Sequence, residues 1–138
     1  MQISTHLSFN GQCKAALETY QRLLGGNLHV LTYGESPMAD EVDPEHREWI
    51  VHGTLAAEGH QISGSDVIGD DFEKPQGFSI TVSLMDRDEA ERLFESLAAG
   101  GKIGFAFAET FWSPGYGMLV DAFGIPWEIN TNRSPESD

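Results

Sequence analysis

A single cysteine, Cys13, occurs in the 138 residues of the chain. It excludes an internal disulfide framework and any zinc site built on cysteines, and a reducing cytoplasm is the compartment it implies. Bases are scarce too: 8 lysines and arginines stand against 22 acids, a formal charge of −14. That balance repels a phosphate backbone or an anionic membrane surface, so neither nucleic acid nor membrane is expected as a partner. Two roles remain for the acids, plain solvation of the surface or attraction of a cation. No apolar run approaches the roughly 18 residues that a membrane helix needs. The first residues, MQISTHLSFNG, show neither the basic n-region nor the apolar h-region of a secretory signal. No glycine-rich phosphate loop and no nucleophile elbow for Ser-His-Asp catalysis can be found.

What is present reads as one domain, 1–138, with enough apolar residues (40%) to bury a core. Ile3, Thr5, Leu7 and Phe9 alternate with Ser4, His6 and Ser8, predicting a strand. Asn10 is placed to cap the helix that follows, in which Ala16, Leu17, Tyr20, Leu23 and Leu24 recur at helical spacing before Gly25-Gly26 ends it. A strand over Leu28–Tyr33, a polar loop or lid over Glu35–Glu48, and a hairpin of Trp49–Ala57 with Gln61–Ser65 complete a first module, about 1–68. The stretch 69–76, GDDFEKPQ, reads as a linker.

The same programme then begins again, over about 77–132, with a tail at 133–138. Phe78, Ile80, Val82 and Leu84 alternate with Ser79, Thr81 and Ser83. Asp86 and Glu89 have the spacing of a capping box, and Ala90, Leu93, Phe94 and Leu97 mark the inner face of a second helix closed by Gly100-Gly101. A strand is predicted over Ile103–Phe111. The stretch 110–130 holds two further aromatic-rich strands divided at Asp121-Ala122-Phe123-Gly124. In the last of them Ile125, Trp127 and Ile129 share one face and Glu128 projects alone from the other. Two β-α-β-β-β modules in one α+β chain is the economical reading. The period is too long, and the copies too few, for a solenoid.

Three stretches carry a resemblance: LSFNGQCKAALETYQRLLGG at 7–26, Ser65-Asp66, and ETFWSPGYGMLVDAFGIPWEIN at 109–130. With the duplicated β-α-β-β-β plan, they resemble the vicinal oxygen chelate superfamily of glyoxalase I, bleomycin-resistance proteins and extradiol dioxygenases. More narrowly they are similar to its PhnB-like branch, once labelled a 3-demethylubiquinone methyltransferase. The resemblance implies that the two modules curl their sheets into a shared cup, helices outside, and that the chain pairs as a homodimer. It implies no single activity. The methyltransferase label finds no support in the residues, because no S-adenosylmethionine-binding glycine loop is visible.

Metal-using relatives place a ligand on the first and last strand of each module. Carried over position by position, Glu128 matches well, lying four residues after Gly124. The other positions hold Ser4 (with His6 two residues on, on the same face), Ser79 (with Thr81) and Ser63. A divalent metal would thus have Glu128 and His6 as its protein ligands. If the family topology holds, Ser4, His6, Ser8, Ser63, Ser65, Ser79, Thr81, Ser83 and Glu128 line the cup, a lining suited to a polar ligand. His52, Trp112 and Tyr116 are further candidates to touch it, although a strand histidine is also a common structural residue and aromatics this dense also suit a core or dimer contact. Glu128 is the candidate catalytic residue, a general base with a raised pKa if Trp112 and Trp127 exclude water. The alternative is a solvated residue at the mouth of the cup or one hydrogen-bonded to the nearby hydroxyls. Cys13, close to a helix start, is taken as packing.

Two functions are thereby expected. The first is binding of a small polar molecule in a hydroxyl-lined cup without a tight metal, no cofactor being certain. The alternative is a metal-dependent lyase, isomerase or transferase acting on a small oxygenated substrate, with Glu128 and His6 at the metal. With three of the four ligand positions held by serine or threonine, the first is preferred, and glyoxalase I activity is not expected.

Overall fold

A computed structural model describes residues 1–133; the expected tail lies outside them but for Arg133. The chain forms two compact units, one of Met1–Glu73 and one starting at Lys74. Residues 69–76 contain neither helix nor strand.

In the first unit β1 (Thr5–Phe9), α1 (Cys13–Leu24), β2 (Asn27–Thr32), β3 (Ile50–Ala57) and β4 (His60–Asp66) follow one another. The sheet order is β1-β4-β3-β2, with β1 parallel to β4 and the other pairs antiparallel. Leu7, Phe9, Leu55 and Ile62 are buried together with Ala16, Leu17 and Tyr20 of α1. The helix lies so close that a Cβ on Gly53 would come within 2.7 Å of the Leu17 side chain. The loop at 35–48 contains two short 3-10 turns, Ala39–Glu41 and Pro44–His46.

The second unit repeats the plan with β5 (Ile80–Leu84), α2 (Arg87–Ala98), β6 (Lys102–Ala108), β7 (Tyr116–Val120) and β8 (Pro126–Thr131), in the order β5-β8-β7-β6. Ala90, Phe94 and Leu97 of α2 are buried, as are Leu119, Ile125, Trp127 and Ile129. Here Gly117 allows the close approach, since a Cβ there would meet the Phe94 ring at 2.5 Å. The α+β architecture of two β-α-β-β-β modules is therefore present, each with a four-stranded mixed sheet and one helix.

Three local expectations are corrected. Ile3 is not part of the first strand: β1 starts its pairing with β4 at Thr5, and Ile3 is 89% exposed. Asn10 does not cap α1. The Asp66 carboxylate does so from the end of β4, its Oδ1 accepting from the backbone N–H of Gly11 (2.8 Å) and Cys13 (3.0 Å) and its Oδ2 from that of Ile50 (2.8 Å). The strand expected over 103–111 ends at Ala108, because the Thr110 hydroxyl accepts from Ser113 N–H and Thr110 N–H donates to the Ser113 carbonyl, folding the chain back. Phe111 is left 90% exposed in that turn. By contrast Asp86 caps α2 as expected, accepting from the N–H groups of Asp88 and Glu89.

Candidate functional site

Each sheet has one face against its helix, and strand alternation sends the polar candidates to the opposite face. There Ser63 is buried, and His6, Ser8, Ser65, Thr81 and Glu128 are partly or fully exposed. In module one the register sets His6 beside Ser63, Ser8 beside Ser65, and Thr54 beside Ser63. His6 Nε2 and Ser65 Oγ share a hydrogen bond of 3.1 Å, and so do His52 Nε2 and Thr54 Oγ1. The two imidazoles lie nearly parallel, 18° between planes, with centroids 6.2 Å apart. Burial, and then the neighbouring His52, hold the His6 pKa below its ordinary 6.5, so its neutral form is favoured. This face thus offers two imidazoles and the partly exposed hydroxyls of Ser8, Thr54 and Ser65, all able to donate or accept, while Ser63 is buried.

Module two presents different chemistry on the equivalent face. Thr81 and Met118 flank Glu128 in register, and Ser79 immediately precedes β5. The Tyr116 hydroxyl donates to Glu128 Oε1, while Ser79 Oγ (2.7 Å) and Thr81 Oγ1 (3.2 Å) both donate to Oε2. Donation from Tyr116, then from Ser79, lowers the carboxyl pKa, against the opposing effect of burial. Tyr116 is pushed up to about 12 by burial and by the carboxylate it serves. Of the arrangements open to Glu128, hydrogen bonding to the nearby hydroxyls is the one present, and its pKa moves down, not up. Trp127 lies fully buried on the opposite face, its Nε1 donating to Asp121 Oδ2 at 2.9 Å, and Trp112 is half exposed, so neither strips water from the carboxylate.

Trp112 and Tyr116 do come together, centroids 5.2 Å apart at 70°. Two aromatics that sequence reasoning left unassigned join them. Phe105 stands 5.8 Å from Tyr116, and Phe111 4.7 Å from Trp112. Strict alternation would put Phe105 and Phe107 on one face of β6. Register shifts on either side of Phe105 separate them, and Phe107 packs against Phe94 of the helix instead. A bulge of this kind has no signal in a strand pattern.

A divalent ion of the kind the resemblance implies needs free lone pairs and several anionic or imidazole donors. Around Glu128 the polar neighbours in module two are neutral hydroxyls, so that module supplies a single anionic donor and does not by itself fit a tightly held metal. His6 belongs to module one, where its partner is Ser65. Among the described residues the one group of three carboxylate or imidazole side chains within 4.8 Å of one another is Asp43, Glu45 and His46, in the loop at 35–48. That loop, with Ser65 and Asp66, walls a cavity of about 410 Å³. Cys13 is buried, and burial followed by the Asp66 charge pushes its thiol up to about 12, which makes it a packing residue. No helix of the described residues is long and apolar enough to cross a membrane.

The chain is similar to protein YjdN of Escherichia coli K12, at 35% identity over 139 residues, covering 94% of this chain and 95% of that one. Among solved structures, PA1353 of Pseudomonas aeruginosa superposes with a TM-score of 0.88 at 34% identity, covering 97% of this chain and 99% of the other. The PhnB protein of Bacillus cereus shares the fold, with a TM-score of 0.78 at 22% identity over 97% of this chain and all of that one (100%). More distant solved structures that share the fold are named as glyoxalase-related or glyoxalase/bleomycin resistance/dioxygenase proteins. The sequence profile described as 3-demethylubiquinone-9 3-methyltransferase matches residues 1–130, and the chain belongs to that family.

Proposed function

We propose that the protein binds a small polar molecule on the hydroxyl-lined open faces of its sheets and works without a tightly held metal. The observation that carries this is the state of Glu128, a half-buried carboxylate with both oxygens engaged by Tyr116, Ser79 and Thr81. Neutral hydroxyl donors keep such a group ionised and oriented, as suits recognition of a ligand. They make it a poor general base, because a lowered pKa weakens its pull on a proton. In module one, His6, Ser8, His52 and Ser65 supply a separate polar surface, with Ser63 buried in the same sheet. Family resemblance and the lone buried cysteine support placing the protein in the cytoplasm as a homodimer.

Elemental analysis of untagged protein purified without chelator tests this reading, with wild type and Glu128→Ala compared. Neither is expected to carry a stoichiometric divalent metal, and a thermal-shift screen of small polar molecules should then find stabilising ligands for the wild type. Near one equivalent of metal in the wild type, lost in Glu128→Ala, would overturn the proposal in favour of metal-assisted chemistry at Glu128.

A further inference from the structure

We infer that the open face of module two is a binding site for an organic cation, held by the Glu128 carboxylate and the rings of Tyr116, Trp112 and Phe105. This rests on the reading of that face as a small-molecule site and names the class of molecule.

Charge is the first argument. Three neutral hydroxyls orient the Glu128 carboxylate but leave its negative charge in place. Among the described residues no lysine or arginine pairs with it. Arg87 is engaged with Glu91, and Arg133 donates to the Phe111 carbonyl. A half-buried anion with no counter-ion is complemented by a cationic ligand, and the formal charge of −14 draws cations toward the protein as a whole.

The aromatic surround is the second argument. Trp112 and Phe105 meet Tyr116 at 70° and 64°, so their planes stand across it, and they remain 48% and 44% exposed. The faces of such rings are electronegative and attract a cation within about 6 Å of the centroid. Methyl or methylene groups around an ammonium would also cover apolar surface here, including the exposed Met118 next to Glu128 in register. A strongly hydrated metal ion would gain nothing from those contacts.

Three probes of one shape and different charge make the test: choline, 3,3-dimethylbutan-1-ol and 3,3-dimethylbutanoate. Each is titrated into nitrogen-15-labelled protein while the Trp112 indole and the amides of Tyr116 and Glu128 are followed by NMR. Choline should shift these resonances to saturation, with the neutral alcohol weaker by about tenfold and the carboxylate without effect. Trp112→Leu, an exposed position that can change without disturbing the core, should weaken choline by about three- to tenfold. Glu128→Gln should narrow the gap between choline and the alcohol, leaving only the preference that the rings supply. Equal binding of choline and the alcohol to the wild type would overturn the inference, and so would an unchanged choline affinity in Trp112→Leu. Should only the alcohol or the carboxylate bind at these residues, the cation falls while the small-molecule reading stands. Binding by none of the three overturns the cation site, and the wider reading then falls only if the thermal-shift screen also finds nothing.

Discussion

Module one ties its helix to its sheet through a single buried carboxylate, whereas module two caps its helix locally and ties its last strand through hydroxyls. Ser63 and Glu128 occupy equivalent positions, so Asp66 of β4 corresponds to Thr131 of β8. Asp66, 1% exposed, receives three backbone N–H groups from the start of α1 and the start of β3. Thr131 is equally buried, yet its hydroxyl has no partner. Its backbone is held instead, by Ser113 Oγ donating to its carbonyl and by its own N–H donating to Gly115. In module two the helix cap comes from Asp86, one residue before α2. One strand order thus tolerates two ways of closing the end of a module, and the open faces differ correspondingly: paired imidazoles in one, a carboxylate among hydroxyls and rings in the other.

The largest effect is expected at Asp66. Replacing it by alanine leaves three N–H groups without an acceptor, two of them in fully buried bonds. At about 1–3 kcal/mol for each unsatisfied group, Asp66→Ala should lose at least about 3 kcal/mol in urea denaturation. Asp86→Ala removes an exposed cap and should cost about 1 kcal/mol. Thr131→Val deletes an unpartnered hydroxyl and should be neutral or slightly stabilising. A cost for Asp66→Ala no greater than that for Asp86→Ala would abolish the distinction between the modules.

These residues also mark where the sequence can be read and where it cannot. Alternation over 5–9, 80–84 and 125–129 assigns faces correctly because a strand's period of two is local, and it isolates Glu128 opposite Trp127. The shared face of His6, Thr81 and Glu128 relative to the apolar positions follows from that pattern, and the Asp86 cap from its spacing to Glu89, whereas Ser63 and Ser65 enter through the family resemblance. The role of Asp66 follows from neither, since its partner Gly11 is 55 residues away and Asn10 offers a local cap that looks sufficient. The separation of Phe105 from Phe107 is hidden for another reason, the register shifts that break the period on which any reading of β6 depends. Which of the arrangements open to Glu128 is adopted depends on how many hydroxyl hydrogens point at one carboxylate, and residue spacing does not encode that.

Intermediate effects should sharpen the contrast between the open faces. Glu128 has a folded pKa below its ordinary 4.5, so ionised Glu128 contributes stability that is fully present above that value and lost as pH falls through the lower folded one. The stability advantage of wild type over Glu128→Gln should therefore be constant near neutrality and shrink only in acid. Tyr116→Phe removes the donor that lowers this carboxyl most. It should cost about 1 kcal/mol and move the carboxyl titration, followed by carbon-13 NMR, back toward 4.5. A Glu128 titration unaffected by Tyr116→Phe would mean that Ser79 and Thr81 alone set its charge.

The module-one face completes the comparison. His6 is the counterpart of Thr81, so a titrating group stands in module one where module two has a hydroxyl. Burial and the His52 ring 6.2 Å away both favour neutral His6, which places its folded pKa below 6.5. The sign follows from linkage: its contribution to stability is present above 6.5 and declines as pH falls from there through the folded value, because the unfolded chain takes up the proton first. Proton NMR of the imidazole should show a midpoint below 6.5, and His52→Gln should raise it only part of the way, since burial is the larger cause and remains. A full return to 6.5 in His52→Gln would instead make the neighbouring imidazole the dominant influence. Between pH 6.5 and the carboxyl range, then, charge should change on the histidine face while the Glu128 face stays anionic. A ligand that bridges module one's imidazoles would respond to pH in that interval, whereas a cation held by Glu128 and its rings would not.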